Sequence, residues 1–159
     1  MGAQAESLAK KYEAKAAELT ATIQKLSDAD WKKVTAAEKW PVGVTAHHVA
    51  GAHEPISNIV KTVAAGQSIP GFTLPMLHEL NAKHAKEFAG CTKAETLALH
   101  EKGVKAAAAV VRGLDDSQLN NSGTVFTGAP PMTCLQVIDG ALINHIDEHM
   151  GSIHKTVGG

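Results

Sequence analysis

Four long stretches of this chain repeat apolar residues at steps of three and four, the spacing that places side chains on one face of an α-helix. Leu8, Tyr12, Ala16, Leu19, Ile23 and Leu26 form the first stripe, with Lys10, Glu13 and Glu18 on the other side, and predict a helix of about 22 residues. Ser27-Asp28-Ala29-Asp30 ends it and opens a short helical turn around Trp31. Val49, Ala52, Ile56, Ile59, Val60 and Val63 mark a second helix, entered at Pro41 and closed at Gly66. Pro55 inside it breaks one backbone hydrogen bond and should bend it near Gly51.

A shorter third piece starts at Thr73, runs through Leu77, Asn81 and Ala85 and stops at Gly90. Thr92 and Glu95 form a capping box for the next helix, whose stripe is Leu97, Val104, Ala108 and Val111 and whose end is Gly113. Residues 114–132 are polar and turn-rich, a length of loop that often walls a site. After Pro130-Pro131, which cannot extend a helix backwards, a second box at Thr133 and Gln136 opens the last helix. Its stripe reads Leu135, Ile138, Leu142, His145, His149, Ile153.

The pattern predicts an all-α protein, a four-helix bundle with a long crossover carrying an additional helix, as a single domain over residues 1–159. Composition agrees: 44% hydrophobic with only 4% aromatic implies small side chains and closely approaching helices. A formal charge of −1 offers no field for nucleic acid or an anionic membrane, and no apolar run approaches the roughly 20 residues needed to span a bilayer. With Cys91 and Cys134 forming neither a C-x-x-C pair nor a disulfide framework, the expected setting is the reducing cytoplasm. Both thiols are expected to be small buried or half-buried residues.

The chemistry sits in the last stripe. Two imidazoles four apart on a buried face each need partners, because an unpaired buried polar group costs on the order of 1–3 kcal/mol. One divalent cation would satisfy a nitrogen of both, since such residues have Cβ atoms roughly 5–6 Å apart. The plainer alternative is that His145 and His149 bond to neighbours or water. On a helical wheel His48 is the better placed of the His47-His48 pair to reach the bundle interior, while His47 points away and His53 lies on the opposite flank. His78 and His84 read as solvated surface residues and His100 as a spare. Trp31 and Trp40 read as lids on the core ends. E-x-x-H pairs, H-E-x-x-H, C-x-x-C-H, G-x-G-x-x-G and a P-loop are all missing, which removes di-iron, thermolysin-type, covalent haem and nucleotide readings. A set of three remains as candidate metal ligands: His48, His145 and His149.

The same residues carry a family resemblance. Glu38-Lys39-Trp40-Pro41-Val42 followed by Ala46-His47-His48-Val49, then Leu80-Asn81-Ala82, then His145-x-x-x-His149-x-x-x-Ile153, resemble in order and separation the motifs of the DinB-like superfamily. That superfamily includes YfiT-type hydrolases, mycothiol-dependent maleylpyruvate isomerases and bacillithiol S-transferases. The resemblance covers nearly the whole chain and implies an unusual four-helix bundle topology, with His48, His145 and His149 in the places of the metal ligands. His47 departs from the pattern, standing where a small or aliphatic residue is usual. No residues match a particular low-molecular-weight thiol.

The expected function is therefore a divalent-metal-dependent enzyme that activates a thiol or water for transfer to, or hydrolysis of, a small electrophilic substrate. Zn or Ni is the favoured ion, with Fe, Mn and Cu as alternatives, and a low-molecular-weight thiol is a candidate second cofactor. Asp147, Glu148 and Glu54 are candidates for orienting an imidazole, against the plainer view of them as solvated carboxylates. Two non-enzymatic alternatives stand beside this: a bundle that holds a metal or small ligand without catalysis, and a dimerising helical protein, a homodimer, whose histidines bind nothing.

Overall fold

The computed structural model describes residues 2–158. Seven helices follow in order: α1 (Ala3–Lys25), α2 (Asp28–Lys32), α3 (Val42–Ala64), α4 (Leu74–Glu87), α5 (Lys93–Arg112), α6 (Cys134–Val137) and α7 (Asn144–Val157). A six-residue π-helical segment, Ile138–Ile143, joins α6 to α7 without a break, so the closing helix runs from residue 134 to 157. It starts where the sequence predicts, with Thr133 Oγ1 accepting from the Gln136 amide and the Gln136 side chain accepting from the Thr133 amide. The boxes at Ser27/Asp30 and Thr92/Glu95 close in the same way.

Around the bundle the helices neighbour one another in the order α1, α5, α3, α7, so α1 lies diagonally across from α3. The chain therefore crosses the bundle twice: once between α1 and α3 through α2, and once between α5 and α6 through a 3₁₀ turn (Asp116–Asn120) and the two-residue strands β1 (Ser122–Gly123) and β2 (Met132–Thr133). β1 and β2 pair antiparallel. Helix α4 is the extra helix of the connection between α3 and α5.

The predicted stripe of α1 is the buried one, from Leu8 through Ile23 to Leu26. Opposite it Val49, Val60, Val63, Ala108, Val111, Leu142, Ile146 and Ile153 complete the core. Helix α3 departs from a one-sided stripe, because every residue from Val42 to Ala50 is buried. Its first turns are enclosed on all sides, and this decides the fate of its histidines. Where Trp31 crosses that end, a Cβ at Gly43 would lie 2.3 Å from the indole, so only glycine admits the contact. Trp31 Nε1 donates to the Cys91 carbonyl, which ties α2 to the start of α5. No helix of the described residues is long and apolar enough to cross a membrane.

Candidate metal centre and its apolar chamber

His48 projects from α3 while His145 and His149 project from successive turns of α7. One ring nitrogen of each lies within 4.8 Å of the other two, and His48 Nε2 is 3.1 Å from His145 Nε2. Two nitrogens on one tetrahedral zinc, at Zn–N of roughly 2.0–2.1 Å, stand about 3.3 Å apart. The spacing and the donor type both fit a shared transition-metal ion. Burial, followed by the proximity of His145 and His149, pushes the His48 pKa down to about 3, and burial with His149 does the same for His145. These rings are neutral near pH 7, the state in which imidazole offers a lone pair.

A carboxylate fixes the third ring. His149 Nδ1 donates to Glu38 Oε2 at 2.9 Å, which leaves Nε2 for the cluster. Ser152 Oγ, one turn further along α7, donates to Glu38 Oε1 at 2.6 Å. Burial works to raise the Glu38 pKa, but hydrogen bonds from Ser152, Thr35 and His149 outweigh it and hold the carboxyl below its ordinary value. Glu38 reaches this position through a tight turn in which the Thr35 amide donates to the Trp40 carbonyl. Within that turn Lys39 takes φ 64°, a left-handed conformation uncommon for residues other than glycine. The strain lies between Glu38 and Trp40, whose indole stands edge-on to His48 at 5.3 Å.

The other candidates fall elsewhere. His47 is buried rather than turned away, because the whole first half of α3 is enclosed; its Nδ1 lies 2.8 Å from His84 Nε2 and its ring stacks on Phe88. His84 is thus half-buried instead of solvated, while His78 is exposed as expected. His100 is no spare: it is 1% exposed and bonds to His53. Asp147 pairs with Lys15 at 3.1 Å, and Glu148 and Glu54 are exposed, so Glu38 holds the imidazole that those three were candidates to orient. Cys134 is buried, its thiol pushed up to about 11 by that burial, and Cys91 is half-buried and also raised. Neither is an activated nucleophile.

His48, His84 and His145 line a chamber of about 400 Å³. The predicted loop wall is there: Val125, Phe126 and Met132 close one side. Sequence reasoning placed Glu38 and Asn81 inside recognisable motifs without giving either a role, and it missed His84, whose neighbour His47 lies 37 residues away.

Comparison with known proteins agrees with this architecture. A family model described as the mycothiol maleylpyruvate isomerase N-terminal domain matches residues 12–139, a span that includes His48 and stops before His145. Among solved structures, the mycothiol-dependent maleylpyruvate isomerase superposes with a TM-score of 0.74 at 12% identity over 94% of this chain, and a histidine-to-alanine mutant of it does so at 11%. The chain spans 60% of the length of those isomerase chains. YfiT from Bacillus subtilis, described as a probable metal-dependent hydrolase with an unusual four-helix bundle topology, gives 0.70 at 19% identity over 98% of this chain and 88% of its own. Among curated protein sequences none matches. The extent of the family match, over a bundle of this topology, makes the chain a member of the mycothiol maleylpyruvate isomerase N-terminal domain family, within the DinB-like superfamily.

Proposed function

We propose that His48, His145 and His149 hold one divalent transition-metal ion, with zinc or nickel favoured over iron, manganese and copper, and that the chain is a metal-dependent enzyme acting on a small electrophilic molecule. The observation that carries this reading is the convergence of three imidazoles from two helices at the edge of a chamber, with one of them braced by a half-buried carboxylate. When bound, such an ion supplies the Lewis acidity that makes a thiol or water nucleophilic near neutral pH. The names of the similar structures, a metal-dependent hydrolase and a thiol-dependent isomerase, support the same pair of nucleophiles.

The chain's own residues do the positioning. Glu38 fixes the tautomer and orientation of His149, and Ser152 fixes Glu38. Trp40 covers the outer edge of His48. The chamber wall is apolar, so a substrate seated against it would displace water beside the cluster and strengthen the polar interactions there. Transfer of a low-molecular-weight thiol and hydrolysis are the two reactions this arrangement serves. A module that holds metal or ligand without turnover is the alternative, and the apolar chamber is the observation in its favour.

Elemental analysis of untagged protein, comparing the native chain with His145→Ala and His149→Ala, tests the metal. About one equivalent in the native chain and less than a tenth in either variant is the expected result. Equal, negligible metal in all three would overturn it, and metal uptake without turnover across a panel of thiols and electrophiles would select the binding module.

A further inference from the structure

Helix α4 has no fully buried side chain, although it is properly capped by Thr73. Leu77, Leu80, Asn81 and His84 follow at the spacing of one helical face, and all four line the chamber. Ile56 and Ile59 of α3 form the facing wall, and Phe72 and Phe126 stack on each other at 5.4 Å to close it. Not one aspartate, glutamate, lysine or arginine contributes to the lining. Its polar side chains are Asn81 and three histidines, and His48 stands against both other rings, with centroids 4.9 Å apart for His48 and His145 and 6.0 Å for His48 and His84. The three imidazoles are therefore gathered in one part of an otherwise largely apolar space.

We infer that the substrate of the three-histidine site is a small molecule with an uncharged, apolar body, aliphatic or aromatic, seated between α3 and α4 with its reacting group toward His48 and His145. This rests on the reading of that cluster as the reaction centre. A chamber of about 400 Å³ is of the size that holds a drug-sized molecule. A charged or polyhydroxylated body would give up its water against Ile56, Ile59, Phe72 and Phe126 without gaining partners, an uncompensated loss. An apolar one gains with every carbon buried. It would also cover Leu77 and Leu80, the latter 56% exposed, which gives α4 the apolar contact it otherwise has little of.

The test uses primary n-alkanols from butanol to octanol, displacing an uncharged polarity-sensitive dye from the full chain, both stripped with a chelator and loaded with zinc. Affinity is expected to rise about threefold to fourfold per methylene until the chamber is filled. Carboxylates and alkylammonium ions of matched length should bind at least tenfold more weakly to the stripped protein. Leu80→Glu, at an exposed rim position, should weaken octanol at least tenfold with an unchanged far-UV spectrum, and Leu77→Asn serves if that variant misfolds. Hydrogen exchange in α4 should slow on binding octanol.

A flat chain-length series, or charged ligands that bind as well as alcohols, would overturn the inference. So would a sedimentation shift showing a second copy of the chain covering the chamber. Alcohol binding by the stripped protein does not depend on the metal, so a failed elemental analysis leaves this result standing. A flat series on metal-loaded protein removes the apolar substrate and leaves the metal reading intact.

Discussion

Helix α3 carries two buried histidine groups five residues apart, and they differ in what their nitrogens have left to give. His53 faces α5 and α1, where a chain of bonds crosses the bundle: Tyr12 Oη to His53 Nδ1 at 2.6 Å, His53 Nε2 to His100 Nδ1 at 2.9 Å, and His100 Nε2 to the Ala16 carbonyl at 2.9 Å. A carbonyl only accepts, so His100 carries its proton on Nε2 and accepts from His53 at Nδ1. His53 then accepts the Tyr12 hydroxyl proton. Every ring nitrogen is used and every proton has one place. His48 faces α7, where its Nε2 meets another Nε2 across 3.1 Å and Glu38 turns His149 to face them. Burial lowers the pKa of His48 and His53 alike, to about 3. What separates a structural histidine group from a candidate metal centre here is free valence, not depth.

The largest effect should come from removing a candidate ligand of the open group. His149→Ala is expected to weaken zinc binding by at least three orders of magnitude in a chelator competition, whereas His53→Gln should leave the zinc affinity within about threefold. A His53 variant that loses zinc as completely would erase the contrast between the groups. The closed group should answer in stability instead. His100→Leu leaves the His53 Nε2 proton without an acceptor in the core, a loss of about 2–4 kcal/mol by urea unfolding of metal-free protein.

Glu38→Gln keeps the shape of the brace and removes its charge, so zinc affinity should fall about 10- to 100-fold, with Ser152→Ala a few-fold. Equal affinity in Glu38→Gln and the native chain would show the carboxylate to be a bystander. Acid should act on the closed group with a definite sign. Because burial, then His100, lowers the His53 pKa to about 3, only the unfolded chain takes up that proton between the ordinary histidine value and about pH 3. The stability that this neutral ring contributes is complete above about pH 6.5 and falls with pH by about 1.4 kcal/mol per unit below it. His53→Gln should reduce the slope of unfolding free energy against pH by that amount in metal-free protein, and an unchanged slope would show that His53 does not titrate this way.

What could be read in the sequence follows element boundaries. The stripe of α1 and the boxes at Thr92 and Thr133 rest on geometry within one helix, and each is found in the structure. The roles of Glu38, His84 and His100 depend on partners 111, 37 and 84 residues away, and no periodicity within a helix reports those. The solvated reading of His84 failed for that reason, since a wheel drawn for α4 alone cannot show that His47 and Phe88 meet its ring. Lys39 is a similar case: nothing about a lysine announces a positive φ, yet the turn it closes delivers Glu38.

The π-helical stretch Ile138–Ile143 has one more consequence. A π turn accommodates one residue beyond the α-helical repeat, so it offsets all that follows by about 100° around the axis. Drawing the segment into a regular α-helix with no residue removed would swing the imidazoles at 145 and 149 away from α3, whereas deleting Ala141 would take up the extra residue and leave both rings facing as they do. A single lost codon here would then keep the three rings together, and a relative one residue shorter at this point could present the same cluster from an unbroken helix.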